Sequence, residues 1–194
     1  MERKEVIFGI LAIVGVLIVI WFLAGVMVSM SSEKVDYVIL EELEDDVEIR
    51  QYGDLALITI TSDGTNSAFS ALASYISGNN NENVEISMTA PVFSDQGKGA
   101  VNMSFVLPEE YNSKDIPVPE NSNIGTSRLP PRKVATITFS GYVSDSSYEE
   151  HRAELDRVLD EHGIKTKGDY FLMRYDPPWI PSVLMRNEVA IEVQ

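Results

Sequence analysis

The stretch "RYDPPWIP", residues 174–181, places three prolines and a tryptophan within eight residues. An apolar, strand-like run from Tyr170 to Met173 leads into it, and another from Val189 to Val193 follows it. Proline fixes φ and lacks the backbone N–H group that a β-ladder needs, so it ends a strand and stiffens the exit. The sequence therefore predicts two strands joined by a rigid aromatic loop.

A second stretch, "ISMTAPVF" at residues 86–93, also runs as a strand into a proline. Around each stretch the chain repeats one order of elements: a β-branched strand, a helix, a strand with a proline loop after it, and a further strand. The two β-branched strands are "LALITITS" from Leu55 and "VATITFSGY" from Val134. This order predicts a duplicated α+β domain, in which antiparallel strands carry both helices.

The first helix is predicted over residues 65–78, with Thr65 as N-cap and Gly78 as its stop. Its spacing of i, i+3, i+4 and i+7 gives one apolar face, which consists of Phe69, Leu72, Ala73 and Ile76. The second helix is predicted over residues 146–162, with Ser147 and Glu150 as a capping box. Further strands are expected at "VDYVILEEL" and "VEIRQY", which flank a turn at residues 44–46, and at "VEISMTAPVF" and "VNMSFVLP", separated by "SDQGKGA".

The N-terminal segment differs from the rest of the chain. Residues from Val6 to Val28 carry no charge and are almost wholly aliphatic. As a helix they would span about 34 Å at roughly 1.5 Å per residue, enough for a bilayer core. A cleaved signal peptide is the alternative, because small residues follow the run at Ser29, Ser31 and Ser32. We predict a transmembrane anchor over residues 1–30 and a soluble domain over residues 31–194.

Basic residues predict the orientation of this anchor. Arg3 and Lys4 precede the apolar run, and Lys34 follows it. The excess of basic residues on the first side places the N-terminus in the cytoplasm. We therefore expect a single-pass protein of the cell membrane with an extracytoplasmic C-terminal domain.

Composition excludes several classes of function. The net charge is −15, with 15 basic and 30 acidic residues, so nucleic acid is not an expected partner. The chain has no cysteine and therefore no thiolate nucleophile. His151 and His162 would lie about 16 Å apart on one helix, too far to bind one metal ion. No HExxH, GxSxG or P-loop pattern occurs, so we predict no catalytic and no metal site.

Several motifs resemble the SOUL family of haem-binding proteins, and they occur in the family's order over residues 35–194. The pair "MTAPV" and "YDPP…RNEV" is the most specific part of the resemblance. The membrane span lies outside it. The segments that carry the resemblance are "VEIRQYGDLALITI", "AFSALASYISGNN" with "ISMTAPVF", "FSGY", and "YDPPWIPSVLMRNEVAIEV".

The resemblance implies two βαβ-rich halves, arranged as a distorted antiparallel barrel or as paired sheets flanked by two helices. It also implies that haem or another tetrapyrrole binds in a shallow apolar site between the first helix and the C-terminal proline loop. The ligand-binding residues expected on this basis are Phe69, Leu72, Ala73, Tyr75, Ile76, Met88, Arg174, Pro177, Pro178, Trp179, Ile180 and Arg186.

This sequence departs from the family's pattern in its charged residues. The first helix has no Lys, Arg or His, so Arg174 and Arg186 are the candidates to pair with propionate groups. Neither histidine matches the axial position that the family resemblance implies. Axial ligation of haem would need Met88, Tyr75 or another group, and no strong axial ligand is evident.

Each of these residues also has a purely structural interpretation. The apolar helix face fits core packing as well as ligand contact, Trp179 fits a cap on the sheet end as well as a pocket wall, and the two arginines fit ion pairs. Two functions follow. The first is a membrane-tethered, non-catalytic haem or tetrapyrrole module. The alternative is an interaction or structural domain that binds another apolar small molecule or a protein partner without haem.

Overall fold

The computed structural model describes residues 2–31, 33–44, 46–95 and 99–194. The helices in this part of the chain are α1 (Glu2–Ser31), α2 (Thr65–Ile76) and α3 (Asp145–Glu161), with short 3-10 helices at Glu109–Asn112 and Ser182–Leu184. The strands are β1 (Glu33–Lys34), β2 (Tyr37–Glu44), β3 (Val47–Tyr52), β4 (Leu55–Ser62), β5 (Thr89–Ala90), β6 (Val92–Ser94), β7 (Val101–Val106), β8 (Gly125–Leu129), β9 (Arg132–Phe139), β10 (Thr166–Arg174) and β11 (Asn187–Val193).

Nine of these strands form one antiparallel sheet in the order β2-β3-β9-β11-β10-β6-β7-β4-β8. The two short strands β1 and β5 pair in parallel beside it. Helices α2 and α3 pack on the sheet, which confirms the predicted α+β class. The antiparallel pairing of β2 with β3 and of β6 with β7 is also confirmed. The turns predicted between them contain Asp45 and residues 96–98, which lie outside the described residues.

The sheet order reveals how the duplicated units meet. The first unit is β4-α2-β6-β7 and the second is β9-α3-β10-β11. Strands β6 and β10 pair at the centre, so the units lie side by side. The strand that precedes each unit pairs with a strand of the other unit. Strand β3 leads into β4 of the first unit but pairs with β9 of the second, and β8 leads into β9 but pairs with β4. This exchange ties both halves into one sheet.

The prolines do not occupy equivalent places in the two units, contrary to the prediction. Pro177 follows β10, whereas Pro91 precedes β6. The predicted strand "VEISMTAPVF" is also largely wrong, because only Thr89–Ala90 and the residues from Val92 enter ladders. The amide of Ile86 instead donates to the carbonyl of Ile76 at 2.8 Å. The segment before β5 therefore closes the end of α2.

The helix caps differ from the predicted ones. The N-cap of α2 is Gly64, which makes no side-chain cap bond, and Thr65 is the first helical residue. In α3 the N-cap is Ser144, whose hydroxyl accepts from the amide of Ser147 at 3.2 Å. The hydroxyl of Ser147 in turn accepts from the amide of Ser144 at 2.9 Å. A serine can therefore close the box that we assigned to Glu150.

The core divides into three clusters on the two faces of the sheet. One cluster packs β3, β9, β10 and β11 against α3, and a second packs β4, β6 and β7 against α2. The third cluster lies on the opposite face and contains Tyr52, Leu57, Met173 and Tyr175. Alternation along β4 illustrates the division, since Ile58 belongs to the α2 cluster and Leu57 to the third.

Candidate functional site

Helix α2 is seated on the sheet by a face slightly rotated from the predicted one. Its most buried residues are Ala68, Leu72 and Tyr75. Ala73 and Ile76 are half-buried, while Phe69 is 43% exposed and makes an edge-to-face contact with Phe105 at 5.2 Å between ring centroids. Leu72 is thus a core residue, and Phe69 presents an aromatic ring at the surface.

Tyr75 fixes the end of α2 to a distant loop. Its hydroxyl donates to the carbonyl oxygen of Pro117 at 2.8 Å. Burial raises the pKa of Tyr75 to about 12, with smaller contributions from the charges of Tyr111 and Glu82. The phenol therefore stays neutral at physiological pH, with its proton engaged by a carbonyl.

Arg174 lies on the helix-bearing face, between the two units. The β10–β6 ladder pairs it with Val92, four residues after the partly exposed Met88. Its Nη1 donates to the buried hydroxyl of Ser94 at 2.7 Å. Burial lowers the pKa of Arg174. Arg174 is half-buried, and among the described residues no carboxylate forms an ion pair with it, so its partly desolvated charge is balanced there by a hydroxyl dipole.

Arg186 lies on the opposite face and is already paired. Its Nε donates to Glu188 Oε1 at 2.8 Å, and its Nη2 donates to the hydroxyl of Tyr37 at 3.1 Å. Burial is the largest single influence on the pKa of Arg186 and lowers it, but the charges of Glu188 and Tyr175 and the hydrogen bonds to Tyr37 and Glu188 together raise it. The structure therefore separates the two arginines that the sequence analysis grouped together, and Arg186 has its counter-ion within the protein.

Sequence reasoning missed the buried ion cluster around Glu188. Its Oε2 accepts from Arg50 Nη1 at 2.8 Å and from the hydroxyl of Tyr175 at 2.9 Å. Burial alone would lower the pKa of Arg50, but the hydrogen bond and charge of Glu188 raise it. For the phenol of Tyr175, which ionises to an anion, burial raises the pKa. A charged residue at an inward position of each strand, in "VEIRQY" and "NEVAIEV", was the available signal.

The proline loop packs against α1. The carbonyl oxygen of Trp179 accepts from Trp21 Nε1 at 3.0 Å. Ile180 is fully buried, whereas the side chain of Trp179 is 66% exposed. Pro177 is half-buried and Pro178 exposed. No local sequence pattern predicts this contact, because it joins residues that are 158 positions apart.

A cleft of about 1160 Å³ opens beside the third cluster, where β3 ends and β4 begins. Tyr37, Tyr52 and Gly53 line it, together with Thr89. The Thr89 hydroxyl is buried and has no hydrogen-bond partner among the described residues. The acidic residues on its rim are Glu33, Asp36, Asp54 and Glu109. The sequence analysis did not foresee this cleft.

Both histidines hold a ring nitrogen within hydrogen-bond distance of a carbonyl oxygen, His151 on α3 and His162 at its C-cap. His151 Nδ1 lies 2.7 Å from the Ser147 carbonyl, and its ring stacks on Phe139 at 4.0 Å. His162 Nδ1 lies 2.8 Å from the Val158 carbonyl. No group of three His, Cys, Asp or Glu residues in the described ranges could hold a metal ion.

Within α1, the residues Ile7–Met27 are long and apolar enough to cross a membrane. The most apolar 18 residues of this stretch are not covered by the rest of the chain. A signal sequence near an N-terminus has the same length and composition, so these two properties fit both interpretations.

Two heme-binding proteins are similar in sequence to this chain. Heme-binding protein 1 of Sus scrofa is 30% identical over 122 residues, which cover 59% of this chain and 64% of that protein. Heme-binding protein 2 of Homo sapiens is 28% identical over 156 residues, 73% of this chain and 75% of that protein. The chain thus spans slightly less than two thirds of the length of the pig protein.

A solved structure and a family match complete the comparison. The crystal structure of the EcmrR C-terminal domain superposes with a TM-score of 0.56 at 14% identity, covering 76% of this chain and 96% of that one. This likeness concerns the fold alone. The family described as SOUL heme-binding protein matches residues 32–192, nearly the whole chain beyond α1. The chain therefore belongs to the SOUL heme-binding protein family.

Proposed function

We propose that this protein is a membrane-tethered, non-catalytic module that binds haem or another tetrapyrrole. Residues 1–30 form the anchor and residues 31–194 the binding domain. The observation that carries the proposal is the family match over residues 32–192. Two curated relatives, from pig and human, bear the name heme-binding protein, which supports a tetrapyrrole as the ligand.

The proposed site lies between α2 and the proline loop. Exposed Phe69 and half-buried Ile76 would contact one side of the macrocycle, with Leu72, Ala73 and Tyr75 holding α2 on the sheet. Trp179 would offer a ring face on the other side, supported by Pro177, Pro178 and Ile180. Met88 would contact the edge of the macrocycle.

Arg174 is the residue best suited to a propionate group. A half-buried guanidinium with no ion-paired carboxylate among the described residues carries a desolvation penalty, and an anionic ligand would offset it. A bidentate pair with a carboxylate is also the strongest geometry that arginine offers. Arg186 belongs to the predicted site as well, but Glu188 already neutralises it at 2.8 Å. Arg174 therefore has the larger role in this proposal.

Iron coordination at this site would be weak. The Tyr75 hydroxyl donates to the carbonyl oxygen of Pro117, and the two histidines lie on or at the end of α3, outside the proposed site between α2 and the proline loop. The thioether of Met88 remains as the available axial group, since this side chain is 39% exposed. When bound, haem would supply a strong visible absorption, and binding should give a broad Soret change without the sharp bands of bis-histidine coordination.

Haemin titration of the purified full chain in detergent tests the proposal. We expect a saturable Soret change that reaches its end point near one haemin per chain. An unrelated protein of similar acidity in the same detergent is the control. Binding no stronger than to this control would contradict haem binding.

The anchor and its orientation need a separate test. Cells that express the full chain should retain it in membranes after carbonate washing, and external protease should remove the domain from intact cells. Recovery of a soluble product with a new N-terminus near Ser31 would favour a cleaved signal peptide. Protection from external protease would contradict the extracytoplasmic orientation.

The cleft on the opposite face favours a second function, binding of another apolar small molecule without haem. The hydroxyl of Thr89 has no partner in the described part of the chain, and with the rings of Tyr37 and Tyr52 it suits a ligand with an apolar body and a polar atom. A Cβ at Gly53 would meet no atom within 4 Å, so a side chain can be added at this position, and Gly53→Trp should place its ring in the cleft. If this variant abolishes binding of the neutral dye Nile red and haemin binding equals its control, the second function is favoured.

A further inference from the structure

Helix α1 and the proline loop approach each other closely at Gly25. Gly25 is buried, although its neighbours along α1 from Ile7 to Ala24 are exposed. A Cβ at Gly25 would lie 2.8 Å from Pro181 Cδ and 3.5 Å from Ile180 Cβ. Only a glycine permits this approach. One helical turn earlier, Trp21 Nε1 donates to the carbonyl of Trp179.

The position of this contact along α1 sets its depth. From Ile7 to Met27 the helix rises about 30 Å, which equals the thickness of a bilayer's hydrocarbon core. Gly25 and Trp21 lie about 3 Å and about 9 Å inside the domain-side end of that length. A span that stopped before Trp21 would measure roughly 20 Å, too short to cross the core. The loop that packs on both residues must therefore reach into the leaflet.

The loop's surface suits that depth. We define the membrane-contact segment as Pro177–Met185, which contains no charged residue. Its Trp179 and Val183 side chains are 66% and 69% exposed. The amide of Gly141 donates to the Ser182 carbonyl at 3.1 Å, which brings the exposed Tyr142 beside the segment. Tryptophan and tyrosine favour the boundary between lipid and water, where the ring is dehydrated and the polar atom stays wet.

We propose that the membrane-contact segment lies in the interfacial region of the bilayer beside the exit of α1, with Trp179 and Val183 touching lipid. The proposal rests on the tether in the proposed function. The partner is a zwitterionic or neutral lipid surface, because the net charge of −15 falls on the part of the chain beyond α1 and an anionic surface would repel it. Trp179 also belongs to the proposed ligand site, so a tetrapyrrole would enter that site from the leaflet.

Single-cysteine labelling provides a direct test, because the native chain has no cysteine. The full chain is reconstituted in phosphatidylcholine vesicles with a nitroxide at Val183→Cys. Collisions with oxygen, which enriches in lipid, are compared with collisions with a water-soluble nickel chelate. Val118→Cys is the aqueous control, as Val118 is an equally apolar residue with 61% exposure. Val16→Cys reports on the middle of α1.

We expect the ratio of oxygen to nickel collisions to be severalfold higher at residue 183 than at residue 118. A lipid-like ratio at residue 16 with an aqueous ratio at residue 183 would overturn the inference and leave the tether intact. An aqueous ratio at residue 16 would refute the tether and the inference together. No haem is present, so the result does not depend on ligand binding.

The close approach of α1 and the proline loop at Gly25 gives a second test with a matched control. Gly25→Leu should force the loop away from α1 and lose most of the lipid exposure at residue 183, while residue 16 stays in lipid. Gly15→Leu lies on the same helix, and a Cβ there would meet no atom within 4 Å, so it should change neither ratio. Unchanged lipid exposure at residue 183 in Gly25→Leu would show that the close approach at Gly25 does not place the membrane-contact segment.

Discussion

Arg50 and Glu188 form an ion pair of 2.8 Å across 138 residues of chain, and neither side chain is more than 1% exposed. Arg50 comes from β3, which leads into the first unit but pairs with the second. Glu188 comes from β11 of the second unit. The pair therefore lies where the exchange of leading strands joins the two halves.

Removal of the Glu188 charge should destabilise the fold. Glu188→Gln removes the carboxylate that fully buried Arg50 shares with half-buried Arg186, and it leaves Arg50 only its ion pair with Glu48 at 2.6 Å. Breaking a buried pair costs about 3–5 kcal/mol in the free energy of unfolding. Urea unfolding at pH 7 measures the loss. The control is Glu192→Gln on the same strand, whose partner Lys167 is 65% exposed. It should change stability by less than about 1 kcal/mol. Equal effects of both substitutions would contradict a special role for the buried pair.

Tyr75 should make stability fall at alkaline pH. Its folded-state pKa of about 12 exceeds the ordinary value of 10.0, so the folded state keeps a proton that the unfolded state loses. Its contribution is complete below pH 10 and declines between about pH 10 and 12. Tyr75→Phe should unfold about 1 kcal/mol more easily at pH 7, through the lost bond to Pro117, and its stability should decline less steeply over this range. Tyr142→Phe, at an exposed ring, should match the native slope.

Leu72 tests how α2 is seated. Leu72→Asp places a charge in a fully buried position and should cost several kcal/mol, on the order of a buried-charge penalty. Ser70→Asp adds the same charge to the exposed side of α2 and should leave the melting temperature nearly unchanged. An equal melting temperature for Leu72→Asp would show that this face of α2 is exposed.

The fold was predictable from the sequence where a local pattern decided it. Alternating β-branched residues and two apolar helix faces gave the α+β class, the two helices and most strands. The strand at residues 84–88 was wrong because an apolar run can close a helix as well as enter a ladder. The caps differ because Gly64 and Thr65 are comparably favoured at an N-cap, and because the serines at positions 144, 146 and 147 offer several alternative caps.

The candidate site was less predictable, because its relationships are long-range. No local pattern showed that Arg174 and Arg186 would lie on opposite faces, since they belong to different strands joined by an irregular loop. The counter-ion of Arg186 is supplied by Glu188, and the partner of the proline loop is a helix at the other end of the chain. The phase of α2 shifted slightly, so that Phe69 became surface and Tyr75 became core.

Arg174 should contribute to haemin binding without stabilising the fold. Arg174→Gln removes a charge-assisted contact with a propionate, and such contacts are worth about 1.5–3 kcal/mol. Stability should stay equal or rise, because a desolvated charge is lost. Arg132→Gln is the matched control: burial also lowers the pKa of Arg132, which lies over Phe171 on the other face. Haemin titrations of both variants in detergent should separate them. Equal affinity in the native chain and Arg174→Gln would exclude Arg174 from the site.

Trp179 should contribute to haemin binding by stacking. The prolines around it hold the loop with little conformational entropy to lose, so the ring face is largely preformed. Trp179→Ala should weaken binding by about 1–3 kcal/mol. The fold should survive, because the ring is 66% exposed and its hydrogen bond to Trp21 uses the backbone carbonyl. His151→Ala and His162→Ala should leave affinity and Soret shape unchanged. Loss of the haem spectrum in either histidine variant, with native binding in Trp179→Ala, would move the site to α3.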